Sequence, residues 1–275
     1  MSSAGAGVKE LIILKGVPIL IAYAAYASGM SWHVPVIILL TAPYWYGPVV
    51  VYFQQRMPKM QGLRVVGENA ALPPDHGRFF ERVIPALQSS GFVVHGRFTS
   101  DDQQPICGTV TLMQHQGASD LAHLVVVTKN TIFAEMVGFS RARTDGSQIS
   151  TLWSTVQSPF PPNPRDDVLR IGGNIDPMDL WRVHQARVAA DPTAKPNDLV
   201  TDALAYQTNL EREGIRRHIA SGMWQQDEHP GFLRPTVTGA ILMCLRMLFP
   251  WKQVARMRAR MEVRRLRESK ETAVK

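Results

Sequence analysis

Eight histidines, two cysteines and 23 carboxylates are the groups of this 275-residue chain able to move protons, bind metals or attack at neutral pH. The most pointed arrangement is Trp181, His184 and Arg187 in DPMDLWRVHQAR, three residues apart and therefore on one face of a helix. An imidazole so placed has two readings. It is a buried group hydrogen-bonded to sheet backbone, or it lines a pocket between helix and sheet where Arg187 holds an anion. His95, His115 and His123 fall on three expected strands, and a turn through Gly117–Asp120 would bring His115 near His123. No H-x-x-x-H or H-E-x-x-H spacing accompanies them, so satisfied sheet or surface histidines are expected and no metal site.

The remaining motifs are weak. IGGNIDP, at Gly172-Gly173, lacks both phosphate-loop spacings and reads as a turn, so no cofactor is expected. Cys107 and Cys244 are isolated, form no framework and suit reduced thiols in a cytoplasmic setting. Asp101-Asp102 and Asp166-Asp167 are adjacent pairs, whose side chains diverge on regular structure, so they read as solvated turn charges. There is no G-x-S-x-G elbow. Catalytic residues are therefore not assigned, and an enzyme is not the first expectation.

The elements that must position these groups form an α+β domain over about 66–230. A helix is expected at Gly77–Ser89. Strands follow at Phe92–Thr99, Thr109–His115, Leu121–Thr128, Thr131–Arg143 and Ser147–Val156. Asp145-Gly146 suits a two-residue type I′ turn, which would oppose Ala142 to Ile149 and Phe139 to Leu152. Short links imply an antiparallel meander of about five strands, closed by the loop SPFPPNPR, with Asp166–Ile171 as a further short strand. Asp176-Pro177 signals a helix start, giving helices at about 177–190 and 199–221.

Residues 1–60 differ in kind. From Gly16 to Gln55 there is no Asp, Glu, Lys or Arg. The run divides into spans at about 11–30 and 34–53, each long enough for a bilayer core. Prolines 18, 35, 43 and 48 predict kinks, above all in the second span. Lys9 and Lys15 precede the hairpin and Arg56, Lys59 and Arg64 follow it, while its loop carries no basic residue. The positive-inside rule then places both termini and the main domain in the cytoplasm. A cleaved signal ending near Ala25-Tyr26-Ala27 and a hairpin buried in a soluble core are the competing readings.

The net charge of +7 belongs to residues 246–267, within the segment 235–275. Arg246, Lys252, Arg256, Arg258, Arg260, Arg264, Arg265 and Arg267 face Glu262 alone, so the remainder of the chain sums to zero. With Val237, Ile241, Cys244, Leu245, Leu248 and Phe249 at helical spacing, and Val254, Met257 and Met261 beyond, this suits an in-plane helix and polybasic tail on anionic lipid. A partner protein is a rival occupant, and nucleic acid is unlikely without stacking aromatics or a recognised module. The expected role is a membrane-anchored binding or scaffold protein. The alternatives are a membrane-bound enzyme acting on a lipid or membrane-proximal substrate, and an accessory subunit of a larger membrane complex. The enzyme alternative requires His184, Arg187 or the strand histidines to converge in a cleft.

Overall fold

The computed structural model describes residues 4–58, 63–67, 72, 74–100, 106–129, 131–156, 163–172, 175–228, 232–248 and 250, together with eight residues between 253 and 264. Asp101, Asp102, Gly173, most of the proline-rich loop, and Lys252, Arg256, Arg265 and Arg267 lie outside the described residues. The chain divides into two compact units, Met1–Lys59 with His218–Lys252, and Met60–Arg217 with Gln253–Lys275.

The first unit is mainly helical. Helix α1 (Ala4–Ala27) packs against α2 (His33–Trp45), which leads into α3 (Gly47–Gln54). Gly29, at φ +82°, takes the left-handed conformation needed to leave α1. The second apolar run is thus two helices, broken at Tyr46, because Pro48 cannot donate a backbone hydrogen bond to the preceding turn. Together His33–Gln54 form one 22-residue stretch long and apolar enough to cross a membrane. After α3, β1 (Met57–Pro58) pairs with β11 (Phe232–Pro235), which pairs in turn with β10 (Trp224–Gln226). Arg56 and Asp227 form an ion pair beside this small sheet. Helix α7 (Val237–Met247) follows, shorter than the apolar run 235–251. Its N-cap is Thr236, whose hydroxyl accepts from Gly239 N at 2.9 Å. Helix α7 packs on α3, and Gly239 lies so close to the Met223 carbonyl that a Cβ there would overlap it.

The second unit is an α+β domain built on a mostly antiparallel sheet. Its strands are β2 (Arg64–Val65), β3 (Phe92–Ser100), β4 (Ile106–His115), β5 (Leu121–Lys129), β6 (Thr131–Arg143), β7 (Gln148–Ser154) and β8 (Asp167–Ile171), in that spatial order. A short β9 (Ala194–Lys195) adds to β6. The expected antiparallel meander of about five strands is β3 to β7, and the further short strand at its end is β8, which runs parallel to β7. The link 155–166 is a dozen residues long, enough for a parallel return.

The β6–β7 turn corrects one expectation. Its loop has three residues, Thr144–Gly146, closed by Arg143 N donating to Ser147 O at 2.8 Å. Gly146 alone is left-handed, at φ +80°. Asp145 keeps a negative φ, and its carboxylate accepts from Ser147 N at 2.9 Å and Ser147 Oγ at 2.6 Å. Ala142 therefore faces Gln148, Arg141 faces Ile149, and Phe139 faces Thr151 rather than Leu152. A one-residue slip exchanges the two faces of a strand, and Thr151 consequently points into the core.

Alternation along each strand then gives the sheet two distinct faces. One carries Met113, Ala122, Leu124, Val126, Val137, Phe139, Trp153, Leu169 and Ile171. Phe79, Phe80, Val83 and Leu87 of α4 (Pro74–Gln88) and Leu180, Trp181 and Val183 of α5 (Pro177–Ala189) cover it. The other carries Phe98, Leu112 and Leu121, against Val200 and the start of α6 (Ala203–Ala220). The described residues of 253–264 are helical where assigned, and Val263 packs on the first face's core.

Candidate functional site

Helix α5 starts where the sequence signals it. Asp176 accepts from Met178 N at 2.8 Å, and Pro177 occupies the first turn. Its buried stripe is Leu180, Trp181, Val183, His184 and Arg187, so the three residues singled out by spacing do share one face, against the sheet. His184 does not bond to sheet backbone. Its Nδ1 lies 3.1 Å from Thr151 Oγ1. Arg187, one turn on, donates from Nη1 to the same Oγ1 at 2.8 Å and to Ser150 O, and from Nη2 to Asp167 O at 3.1 Å. Its guanidinium also pairs with the Asp167 carboxylate at 2.6 Å. The seat available for an anion beside Arg187 is thus held by Asp167.

On the other side of the imidazole stands Asp120, buried and paired with Arg141 of β6. His184 Nε2 faces Asp120 Oδ1 at 3.5 Å, within reach of charge but too long for a well-formed hydrogen bond. Donor and acceptor capacity fixes the protons. Arg187 can only donate, so Thr151 Oγ1 accepts from it, and the Asp120 carboxylate can only accept, so the imidazole proton sits on Nε2 facing it. Nδ1 is then an acceptor and takes the hydroxyl hydrogen of Thr151. Burial pushes His184 below its ordinary pKa, against the pull of Asp120 and with the push of Arg187 and Arg141. Burial alone would raise the Asp120 carboxyl, but Arg141 and His184 hold it below its usual value. The seam therefore holds two guanidiniums, two carboxylates and a neutral imidazole, balanced in charge.

Trp181 lies stacked between His115, at 5.5 Å between ring centres, and His184, at 5.8 Å. His115 Nδ1 accepts from the backbone of Gly117 at 3.1 Å and Ala118 at 2.7 Å. It thereby shapes the turn that delivers Asp120. His115 and His123 do not converge, because His123 faces the opposite side of the sheet, against Tyr206 at 6.3 Å. Burial drives His123 down to about 4.

An imidazole beside a carboxylate resembles a general-base pair. Here Nδ1 is engaged by Thr151 and Nε2 is a donor, so no lone pair of His184 is open to a substrate in this state.

His76 of α4 was not signalled by spacing. It is fully buried, with Nδ1 2.7 Å from Thr109 Oγ1 and Nε2 3.1 Å from Thr128 Oγ1. Its partners are 33 and 52 residues away, so only the tertiary fold brings them to it. Among the described residues, no three His, Cys, Asp or Glu side chains converge as metal ligands. Arg258, Arg260 and Arg264 are exposed with Met257 and Met261, whereas Arg246 is half-buried in the last turn of α7. Comparison with protein-family models, curated proteins and solved structures returned no match.

Proposed function

We propose that the chain is an integral membrane protein, inserted by a two-helix hairpin of spans 11–30 and 34–53, whose α+β domain is a cytoplasmic binding or scaffold domain. The observation that carries this reading is the surface of α2 and α3. Neither helix has a buried residue, yet both are almost wholly apolar, with Leu40 71% and Phe53 63% exposed. An apolar surface that continuous is foreign to a water-facing monomer and suits contact with lipid tails. Helix α1 supports the same reading from Gly16 onward. Its small Ala22 and Ala25 are buried while Ile19, Leu20, Tyr23 and Tyr26 face outward. Small residues at the helix contact and large ones outside are the pattern of helices associating in lipid.

The exposed Val237, Ile241 and Leu242 of α7, together with exposed Arg258, Arg260 and Arg264, support further contact with anionic headgroups at the basic, cytoplasmic side. Fractionation tests the anchorage. Native membranes washed in alkaline carbonate and in high salt should retain the protein in the pellet. Quantitative release into the supernatant refutes the hairpin reading.

A further inference from the structure

The first unit contains a helix whose neighbour decides where it can lie. Strands β1 and β11 run antiparallel, with Met57 opposite Leu233 and Pro58 opposite Phe232. The chains leading into β1 and out of β11 keep that register. Arg234 stands over the Tyr52 ring, 5.9 Å from its centre, and a Cβ on Gly47 would meet Cys244 Sγ at 3.4 Å. Gly47 lies eight residues before Gln55, the C-cap of α3, and Cys244 eight residues after Thr236, the N-cap of α7. At 1.5 Å per residue both helices reach their meeting point after about 12 Å. Helix α7 therefore retraces α3 in the opposite direction, from its polar end, Gln54, Gln55 and Arg56, to the break at Tyr46.

Depth follows from that pairing. If α2 and α3 cross the bilayer, α7 cannot lie flat on its surface, because a flat helix would cross α3 rather than run beside it. Its faces fit an apolar surrounding. Gly239, Ala240, Met243 and Cys244 are buried, while Val237, Ile241 and Leu242 are exposed, as Val49 and Phe53 are on α3. The exposed side of α7 thus continues the apolar surface of α3 at matching levels. Its eleven residues cover about 16 Å, half of a bilayer core, so it cannot cross. The basic cluster beyond it, residues 252–267, also belongs on the cytoplasmic side. Arg246, half-buried in the last turn, is drawn back toward the headgroups, since helical side chains lean to the N-terminus of their helix. Helix α7 also touches α2, which places protein beside its deep end.

We propose that α7 is a re-entrant membrane helix. It enters the cytoplasmic leaflet beside α3, presents Ile241 and Leu242 to lipid acyl chains, and ends near the α2–α3 break without crossing. The assignment rests on reading α1 to α3 as a membrane hairpin. Nitroxide labels test it, placed singly on Val49→Cys, Phe53→Cys, Val237→Cys and Ile241→Cys in a full chain carrying Cys107→Ser and Cys244→Ala. All four positions are exposed, so labelling disturbs no packing. In liposomes of phosphatidylcholine and phosphatidylglycerol, collision with oxygen against a nickel chelate reads the depth of each label. The label at Ile241 should lie about 5–6 Å deeper than that at Val237 and level with Val49, and Val237 should be level with Phe53. Equal depth at Val237 and Ile241, or water at both, with Val49 among the acyl chains overturns the inserted helix and leaves the anchorage standing. Water at Val49 refutes the anchorage itself, and this assignment with it. In membranes of a Cys107→Ser chain, Gly47→Cys should crosslink to the native Cys244 under copper phenanthroline. Absence of that crosslink overturns the register from which the depth is drawn.

Discussion

Replacing Asp120 by Asn isolates the electrostatic part of the seam that joins α5 to the sheet. The substitution keeps the shape of the side chain and removes its charge. Arg141 then retains a guanidinium that is 11% exposed without the carboxylate that faced it. Removing one partner of a buried ion pair costs about 3–5 kcal/mol, because the surviving charge remains desolvated. The asparagine oxygen can still accept one hydrogen bond from Arg141, which favours the lower end. For a domain of this size each kcal/mol shifts the midpoint by about 2–4 °C, so a fall of roughly 6–20 °C is expected. The readout is thermal melting of the full chain in detergent, followed by near-ultraviolet dichroism. Trp181, packed among Phe92, Phe139, His115 and His184, should dominate the domain's transition.

The double substitution Asp120→Asn with Arg141→Met separates charge from shape. It removes both charges, so no lone buried ion remains, and at least half of the lost stability should return. The coupling between the two sites should exceed roughly 1 kcal/mol. A single Asp120→Asn variant melting within 2 °C of the parent refutes the argument, as does a double variant whose loss equals the sum of the singles. Either result would mean that the pair is solvated in solution and that apolar contacts alone seat α5.

Further outcomes follow from other parts of the molecule. His123 has a folded pKa of about 4, depressed by burial below the unfolded value of 6.5. Its contribution to stability is therefore complete above pH 6.5 and declines as the pH falls toward 4, by up to roughly 3 kcal/mol. His184 is shifted in the same direction, so His123→Phe should flatten only part of the acid slope in denaturant melts at stepped pH. Gly239→Ala sets a methyl against the Met223 carbonyl and should cost at least about 1–3 kcal/mol, visible as early cleavage around α7 in limited proteolysis. Leu40→Arg puts a charge about a third of the way into the proposed second span, a cost of up to about 2.5–3.5 kcal/mol for insertion. Carbonate washing should then release a measurable fraction of that variant, and full retention would count against a lipid-facing Leu40.

Much of the α+β domain was legible in the sequence because its signals are local. Asp176-Pro177 starts α5 at the residue where cap and proline coincide, and β3 to β6 begin and end near the limits set by alternation. The shared face of Trp181, His184 and Arg187 needed nothing beyond helical spacing. Their partners were not legible. Asp120, Arg141, Thr151 and Asp167 reach α5 only through the sheet, and Asp120 had read as an ordinary turn residue. The strands β10 and β11 are too short, at three and four residues, for alternation to mark them.

The β6–β7 turn connects the clearest misreading to the site itself. Asp-Gly suits a two-residue loop with positive φ at both positions, but the Asp145 carboxylate bonds Ser147 N and Oγ, Asp145 keeps a negative φ, and Gly146 alone is left-handed. The loop takes a third residue, Thr144, and every side chain of β7 changes face relative to the shorter turn. In the shorter register Leu152 would stand opposite Phe139 beneath α5, and Thr151 would point to the other side of the sheet. His184 would then meet a leucine, leaving Nδ1 without a donor, and Arg187 would lose one of its acceptors at the same place. Leu152 would also leave its position above Gly138. A single aspartate in a solvent-facing turn thus determines which residues β7 offers to α5. It acts on the polar seam without touching it.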